Sequence, residues 1–494
     1  MFSKNIKSIF IIVTLIMISL GSVVLNAECD MMAMLTKSGY IMPDITNGSN
    51  SFDYPDEVFQ FLKNNSSGGT NDDGYGVIYY KDGETIVPSS QRFHQVGINT
   101  SYQTHPQQMD DAEDAVGNPN NDTAIVLGHA RSTTQGAYGN HPFWFEVGND
   151  NTYTFQHNGD CDDLREGMMN YLDDKHGEQW FINHPSNWGA SSNNYSDWID
   201  SELLFHFIMS HILEYEGDVV GGIIAALNYN GEFGDFASYF HDEFYNYKIN
   251  FVISNGEALY AFRNNPGANL SYKSFNDEFV VVKTDIVIPQ GQNINQFSLV
   301  EIPRDGEIVT YVDIFELDAK LFTSGVTWSS YPRLSEQGTS NGEIFEQAYW
   351  NPLLQTPGLL QLAEQGDPTI TDFDKILGYR DGDIEIDYIP LTSVFEDYGF
   401  DNMLFRHEGY KIEVVDGADP TVLIVGGNRL PVDHVITGSL ASGEYHWLGF
   451  WLPRTQNMIE SFGDGVDGFW QYVDKVKSED WFYSPANNQR GGDL

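Results

Sequence analysis

The stretch GHARSTTQGAYGNHPFWFEVGNDNTYTFQHNGD, from Gly128 to Asp160, carries the most specific pattern in the sequence. Apolar and β-branched residues predict one short strand at Ala124–Gly128 and a second at Thr152–His157. A long polar loop is expected to join them. The stretch therefore predicts two strands whose ends carry polar groups.

A cluster of hydrogen-bond donors follows each of these predicted strands. His129-Ala130-Arg131 follows the first, and His157-Asn158-Gly159 ends the second. A guanidinium offers a planar fork that suits a carboxylate. An Asn side chain beside a Gly N–H suits an oxyanion hole, and Gly lets the backbone approach a ligand closely. These groups make half of an acyl-transfer site, which still needs a nucleophile.

The nucleophile candidate is Cys29, one of only two cysteines in the chain. It lies just after a leader of the secretory type, and processing would make it the first residue. A cysteine at that position carries its own base, the free α-amine.

These motifs resemble the signature of the class II glutamine amidotransferases, a branch of the N-terminal-nucleophile hydrolases. The family pattern is roughly H-x-R-x-A-T-x-G, then N-x-H-P-F, then H-N-G, and here the chain reads HARSTTQG, NHPF and HNGD. The strand Asp73-Gly74-Tyr75-Gly76 is similar to the DGWG-type strand of that family. The resemblance covers roughly Cys29 to Pro303.

The resemblance implies an α+β fold, a four-layer αββα sandwich of the N-terminal-nucleophile type. Alternating stretches beyond residue 315 predict that a β-rich C-terminal region follows it. It also implies an enzyme in which Cys29 attacks an amide and Asn158 and Gly159 stabilise the oxyanion. The remaining substrate-binding residues that it implies are Arg131 for the α-carboxylate, Asp200 of Asp200-Ser201-Glu202 for the α-ammonium, Thr134 and His129. Asp200 also suits the N-cap of the following helix, and the two roles are compatible.

Residues 1–27 read as a signal peptide, with Lys4 and Lys7 before an apolar run from Ile9 to Leu25. An uncleaved membrane anchor is the alternative. We expect a secreted or cell-envelope protein with no membrane contact after leader removal. Cleavage after Ala27 would leave Glu28 in front of Cys29, where it blocks the amine. Some members of the family remove a leader that ends in Glu, and the resemblance implies such a second trimming step here.

The chain is strongly acidic, with 25 Lys and Arg against 71 Asp and Glu and a net charge of -46. This excludes a general polyanion binder, so no nucleic-acid partner is expected. The acidity suits a saline medium or, equally, a well-solvated secreted surface. No cofactor or metal is expected, because CxxC, HExxH and GxxxxGK are missing and the spacing of His206 and His211 suits packing or a surface position instead.

We predict three regions: a leader at 1–28, a glutamine amidotransferase type-2 domain at 29–315, and a β-rich accessory region with a Trp-containing repeat at 316–494. The repeat is GVTWSSYPRL at 325–334, similar to GEYHWLGFWLPR at 443–454. This region is a candidate for binding cell-surface or extracellular material. Residues 381–387 could form a calcium loop, but a solvated strand face fits their alternation better.

Three functional hypotheses remain from the sequence. The favoured one is an exported amidohydrolase that releases ammonia or an amine from glutamine or a γ-glutamyl amide through a Cys thioester. The others are an N-terminal-nucleophile amidase or peptidase for another amide, and a catalytically silent surface binding protein. A disulfide between Cys29 and Cys161 is an open alternative that would silence the enzyme.

Overall fold

The computed structural model describes most of the first two thirds of the chain and scattered strands beyond. The described residues are 29–42, 54–65, 74–81, 106–131, 141–148, 151–191, 194–241, 248–264, 269–275, 278–284, 291–323, 325–330, 373–380, 383–389, 394–397, 409–414, 420–426, 476–477, 481–484 and 489–492. The predicted leader lies outside them. Among the described helices, none is both long and apolar enough to cross a membrane.

Six antiparallel strands form the first sheet, which contains the strand that follows Cys29. Sequences such as FVVVKT favour strands because β-branched residues pack well on a pleated surface. In spatial order the strands are β12 (Gln292–Asn293), β10 (Leu270–Phe275), β11 (Phe279–Thr284), β1 (Asp30–Thr36), β3 (Thr123–Arg131) and β2 (Gly74–Lys81).

A second antiparallel sheet of six strands contains the HNG motif. The sequence INFVISNGEALYAFR at 249–263 predicts a strand, an Asn-Gly turn and a second strand, and the structure confirms this hairpin at the centre of the sheet. In spatial order the strands are β14 (Val309–Tyr311), β13 (Ser298–Pro303), β9 (Ala258–Arg263), β8 (Lys248–Ser254), β5 (Asn151–Asp160) and β4 (Phe143–Val147).

The two sheets pack face to face, as the side chains of β1 show. Its side chains alternate between the two faces of the sheet, as in any strand. Met31 and Leu35 belong to a buried cluster that also contains Val252 and Ala261 of the second sheet. Met32 belongs to a different cluster on the opposite face, with helices α1 (Tyr54–Asn65) and α2 (Pro106–Val116). β1 is therefore covered on both faces.

Helices cover the other face of the second sheet in the largest apolar cluster. These helices are α3 (Arg165–His176), α4 (Gln179–Asn183), α5 (Asp200–Glu214), α6 (Val219–Leu227) and α7 (Phe236–His241). Helix α5 lies at the centre of this layer, since its residues from Ser201 to Ile212 are all buried. Burying each large apolar side chain contributes about 1.5–3 kcal/mol, so α5 is held firmly against the sheet.

Shorter elements and further strands complete the described chain. The short elements are 3-10 turns at Pro119–Asn121, Asp162–Leu164, Tyr195–Asp197 and Ile314–Glu316, and a strand pair formed by β6 (Asn230–Gly231) and β7 (Gly234–Asp235). The later strands are β15 (Leu317–Phe322), β16 (Gly325–Ser330), β17 (Phe373–Arg380), β18 (Asp383–Ile389), β19 (Val394–Asp397), β20 (Gly409–Val414), β21 (Thr421–Gly426), β22 (Val476–Lys477), β23 (Trp481–Ser484) and β24 (Gln489–Gly492). β15 pairs with β21, and Val422 and Ile424 of β21 join the apolar cluster around α5 and α6.

Several predicted elements are confirmed, and two expectations are wrong. Alternation at 409–415 and 422–425 predicts two strands, and the apolar spacing after Asp162 predicts a helix. All three are present, and His206 and His211 are buried packing residues. The loop between the two motif strands contains a further strand, β4. The polar and acidic composition of residues 99–122 predicts a surface insertion, but this stretch contains α2, whose Met109, Ala112 and Val116 are fully buried.

Candidate active site

The His129-Ala130-Arg131 motif lies in the last three residues of β3, within the strand and not after it. Asp30 of β1 is opposite Ala130, and Gly74 of β2 is opposite Arg131. Cys29 directly precedes β1 and is partly exposed. The first sheet thus brings the candidate nucleophile and the candidate carboxylate-binding arginine to the same end of neighbouring strands.

The second glycine of the DGYG motif is required by a close approach of the backbone. A Cβ on Gly76 would lie 2.0 Å from the carbonyl oxygen of His141. Only glycine leaves room for that carbonyl. The motif therefore allows His141 and Pro142 to pack closely against β2.

The His157-Asn158-Gly159 motif lies near the end of β5 in the second sheet. Asn158 is opposite Asn250 of β8 and is 2% exposed. Its side-chain nitrogen Nδ2 is buried and makes no hydrogen bond to any of the described residues. A buried donor left without a partner costs about 1–3 kcal/mol, so most native structures satisfy such groups.

Two hydrogen bonds connect the facing sheets next to these motifs. Gln156 Nε2 donates to the carbonyl oxygen of Met32 at 2.9 Å. The His129 Nε2–H donates to the carbonyl oxygen of His157 at 3.1 Å. Met31 of β1 is opposite His129. The N-terminal end of β1 and the C-terminal end of β5 therefore lie at the same side of the sandwiched sheets.

The two buried imidazoles of His129 and His141 are neutral. His141 Nδ1 lies 2.9 Å from His129 Nε2. Burial lowers the pKa of His129 to about 3, and burial together with His129 lowers the pKa of His141 well below its ordinary value. The His129 side chain is completely buried, and its hydrogen bond to His157 joins the two sheets. A contact between His129 and a substrate stays a prediction.

Asp200 is the first residue of α5, and its carboxylate binds groups outside the helix backbone. Oδ2 accepts a hydrogen bond from the Cys161 N–H at 2.8 Å, and Oδ1 accepts one from Ser201 Oγ at 3.2 Å. Ile199 occupies the N-cap position, so the N-cap expectation for Asp200 is wrong. The carboxylate instead ties the start of α5 to the residues that follow HNG.

The carboxylate of Asp200 belongs to a cluster of three carboxylates. One oxygen each of Asp160, Asp162 and Asp200 lies within 4.8 Å of the others. Burial and then the charge of Asp200 raise the pKa of Asp162. This spacing would also admit a metal ion, although acidic groups cluster at many protein surfaces without one. The cluster creates a local negative potential that favours a bound cation.

The second cysteine, Cys161, is unsuited to nucleophilic attack. It is fully buried, and burial and the neighbouring Asp200 raise the pKa of its thiol well above the ordinary value. Because the thiolate is the reactive form, this thiol is inert. Cys29 and Cys161 are not joined by a disulfide in the structure.

Glu202 of the Asp200-Ser201-Glu202 motif anchors the loop at Ser186 and Asn187. Its carboxylate accepts hydrogen bonds from Ser186 Oγ at 2.8 Å and from the Asn187 N–H. The Asn187 side chain in turn bonds to both backbone polar groups of Trp144 on the edge strand β4. Burial raises the pKa of Glu202 to about 7.

Some residues singled out in the sequence lie outside the described part of the chain. Other residues of the site were not predicted from the sequence. Thr134 and Glu28 lie outside it. The roles of Ser201, His157 and Gln156 in joining the elements were not foreseen, although the first two belong to motifs that the sequence already singled out. Spacing along the chain gave no signal for their contacts, because these form between distant elements.

No protein-family model matches the sequence, and no curated protein matches it. Similar solved structures do exist. The glutamine phosphoribosylpyrophosphate amidotransferase from B. subtilis is 15% identical over 57% of this chain and 49% of its own, with a TM-score of 0.35. The matched part thus spans about half of that enzyme.

Two smaller proteins match over nearly their whole length. A glutamine aminotransferase class-II domain protein from Silicibacter pomeroyi is 15% identical over 57% of this chain and 98% of its own, with a TM-score of 0.33. A predicted glutamine amidotransferase from Pseudomonas aeruginosa is 15% identical over 57% and 96%, with a TM-score of 0.26. The solved structures to which this chain is similar thus include proteins of the class II glutamine amidotransferase kind, the family that its motifs resemble.

Proposed function

We propose that the protein is an exported amidohydrolase of the class II glutamine amidotransferase kind, acting on glutamine or a γ-glutamyl amide. One observation carries the proposal: the buried Nδ2 of Asn158 has no partner among the described residues. A ligand oxygen that accepts from it would offset the cost of the missing hydrogen bond. The oxyanion of a tetrahedral intermediate is such a ligand, and the Gly159 N–H is the second donor.

The cross-links between the sheets support Cys29 as the nucleophile. Met32 is linked to Gln156, and the residue opposite Met31 is linked to His157. Moving from Met32 toward Cys29 along β1 corresponds to moving from Gln156 toward Gly159 along β5. This progression supports a position of Cys29 near the level of Asn158 and Gly159.

The charges on either side support an amino-acid substrate. Arg131 ends β3 beside the start of β1, where its guanidinium can bind an α-carboxylate. Asp200, with Asp160 and Asp162 close by, offers the negative environment that an α-ammonium requires. The two charged groups of glutamine are both on its α-carbon, so binding them at these two points leaves the side chain to carry the amide toward Cys29.

The chemistry then follows in two steps. The Cys29 thiol loses its proton to the freed α-amine, and the sulfur attacks the amide carbon to give a tetrahedral intermediate. Its collapse breaks the C–N bond, the amine passes its proton to the leaving nitrogen, and ammonia departs from a glutamyl thioester. Water adds to the thioester, expels the thiol and releases glutamate. We propose water as the acceptor.

The finer architecture belongs to the same proposal. A four-layer αββα arrangement is supported by the three buried clusters, one between the sheets and one on the outer face of each. We propose a secreted or cell-envelope location, a free Cys29 after leader removal, a small-molecule substrate and a C-terminal region that binds surface or extracellular material.

The test uses the full chain as exported by a secreting host. N-terminal sequencing is expected to find Cys29 first, and glutamine is expected to yield equal amounts of glutamate and ammonia. Acid quenching and peptide mapping should find the glutamyl group on Cys29 and none on Cys161. Active protein that begins at Glu28 or Met1, or a Cys29→Ala variant with full activity, would overturn the mechanism.

If glutamine is inert while other amides are cleaved with a thioester on Cys29, the amidase alternative replaces this proposal. A folded protein that begins at Cys29 and cleaves no amide would leave the silent binding protein. The two results are distinguished by incubating the same preparation with glutamine, γ-glutamyl amides and glutaminyl peptides.

A further inference from the structure

We propose that Ser201 is a positioning residue that couples the ammonium-binding carboxylate of Asp200 to the strand that carries Asn158. The inference rests on the proposed function, because it assigns Asp200 to the substrate ammonium. Ser201 is 3% exposed and is the second residue of α5. Its hydroxyl lies 3.2 Å from Asp200 Oδ1 and 2.8 Å from His157 Nδ1.

The direction of this hydrogen-bond chain follows from the chemistry of its members. An ionised carboxylate can only accept, and a hydroxyl has one proton to donate. Ser201 therefore donates to Asp200 and accepts from the Nδ1–H of His157. The chain runs from His157 through Ser201 to Asp200, and it requires the His157 tautomer that carries its proton on Nδ1.

The chain connects the two halves of the candidate site. Each oxygen of Asp200 is held, Oδ1 by Ser201 on α5 and Oδ2 by the Cys161 N–H beyond β5. The Cys161 thiol also donates to Oδ2, at 3.6 Å, and since a carboxylate has about four acceptor positions, one position remains for an ammonium. His157 is the residue before Asn158. A change in the direction of the Asp200 carboxylate is therefore transmitted to the strand of the oxyanion donor.

The test compares glutamine with glutaramate, which keeps the amide and the α-carboxylate but lacks the α-ammonium. The full-length mature protein should prefer glutamine in kcat/KM. Ser201→Ala should reduce the ratio of the two kcat/KM values on the order of tenfold, because Asp200 loses a charge-assisted hydrogen bond. Ser201→Cys keeps the volume with only a weak donor, so it should show the same loss.

Ser210→Ala is the matched control. Ser210 is also buried on α5, and its hydroxyl lies 2.7 Å from His176 Nε2, so the variant breaks a serine–histidine contact of similar length. Any general loosening of α5 should affect both substrates equally, and the ratio should stay at the wild-type value.

A ratio that is unchanged in Ser201→Ala and Ser201→Cys, or lowered equally in Ser210→Ala, would overturn the role of Ser201 alone. A wild-type protein that hydrolyses both substrates equally would also overturn the assignment of Asp200. Wild-type protein that hydrolyses neither would overturn the proposed function and this inference with it.

Discussion

The Nε2–H of His129 donates a hydrogen bond to the carbonyl oxygen of His157 at 3.1 Å, and this bond joins the two facing sheets. Both imidazoles are fully buried. Burial lowers the pKa of His129 to about 3, so the bond is made by a neutral ring. The two motifs that flank the candidate site are thus connected through a group that folding keeps unprotonated.

We predict that acid weakens the fold between pH 6.5 and pH 5. Burial lowers the pKa of His129, His206 and His211 to about 3, whereas each has an ordinary value of 6.5. The unfolded chain therefore takes up protons that the folded protein does not. The stability that the three neutral histidines contribute is complete above pH 6.5 and is lost as the pH falls. The free energy of unfolding decreases by up to about 1.4 kcal/mol per pH unit for each histidine.

Urea unfolding at half-unit pH steps checks this prediction. The window ends at pH 5 because most carboxylates stay ionised above it, so relief of their mutual repulsion contributes little there. A free energy of unfolding that is constant from pH 7 to pH 5 would contradict the neutral buried histidines.

Glu202 is predicted to act in the opposite direction. Burial raises its pKa from 4.5 to about 7, so its contribution to stability is complete below pH 4.5 and is lost as the pH rises through 7. Glu202→Gln removes the buried charge. The difference in unfolding free energy between variant and wild type should therefore shift in favour of the variant by on the order of 2 kcal/mol between pH 5 and pH 8. If the difference in unfolding free energy does not vary with pH, Glu202 has the same pKa in the folded and the unfolded protein.

Asn158→Ala should lower kcat without loss of stability. The amide nitrogen has no partner among the described residues, so its removal breaks no hydrogen bond that it makes to them. An oxyanion donor acts only on charge that develops in the tetrahedral state, and its loss should reduce kcat by roughly 10²–10³. Thermal unfolding and steady-state kinetics measure the two effects on one preparation.

Asn264→Ala is the control for Asn158. This asparagine is also buried, but its side chain accepts from the Ile249 N–H at 2.8 Å and donates to the Phe240 carbonyl at 3.2 Å. Its removal should lower the melting temperature and leave kcat near the wild-type value. The reverse pattern in the two variants would exclude Asn158 from the oxyanion hole.

Arg131→Ala should mainly raise KM for glutamine. The α-carboxylate keeps its charge throughout the reaction, so an arginine that binds it contributes equally to the ground state and the transition state. Arg304→Ala is the control: Arg304 is similarly buried, but its Nε donates to Thr36 at the opposite end of β1. That variant should be less stable with KM unchanged. If Arg131→Ala has the wild-type KM, the arginine does not bind the carboxylate.

A fragment of residues 29–315 that begins at a free Cys29 should hydrolyse glutamine, since the described site residues all precede Pro303. It should also melt at a lower temperature than the full chain. The Tyr215 hydroxyl donates to the Ala319 carbonyl at 3.0 Å, and Val422 and Ile424 pack on the helices, so the fragment loses these contacts. A folded fragment without activity, compared with active full-length protein, would place part of the site beyond residue 315.

Local patterns in the sequence were sufficient for the elements that carry the motifs. The helix from Asp200, the hairpin at 249–263 and the strands around HAR and HNG were predictable because apolar periodicity and turn residues act over a few positions. Helix α2 was missed because its composition is acidic and rich in glutamine. Its buried Met109, Ala112 and Val116 nevertheless have helical spacing that could have revealed it.

Only the tertiary structure decided how these elements meet. β3 and β5 are close in sequence but belong to facing sheets, and the bonds from Gln156 to Met32 and from His157 to Ser201 join residues 124 and 44 positions apart. The buried Nδ2 of Asn158, which has no partner among the described residues, is likewise a property of the packed sheets. Such contacts depend on strand pairing and on desolvation between distant segments, and a local pattern contains no information about either. The sequence therefore determined which chemical groups are present, and the packing of the two sheets determined which of them face one another.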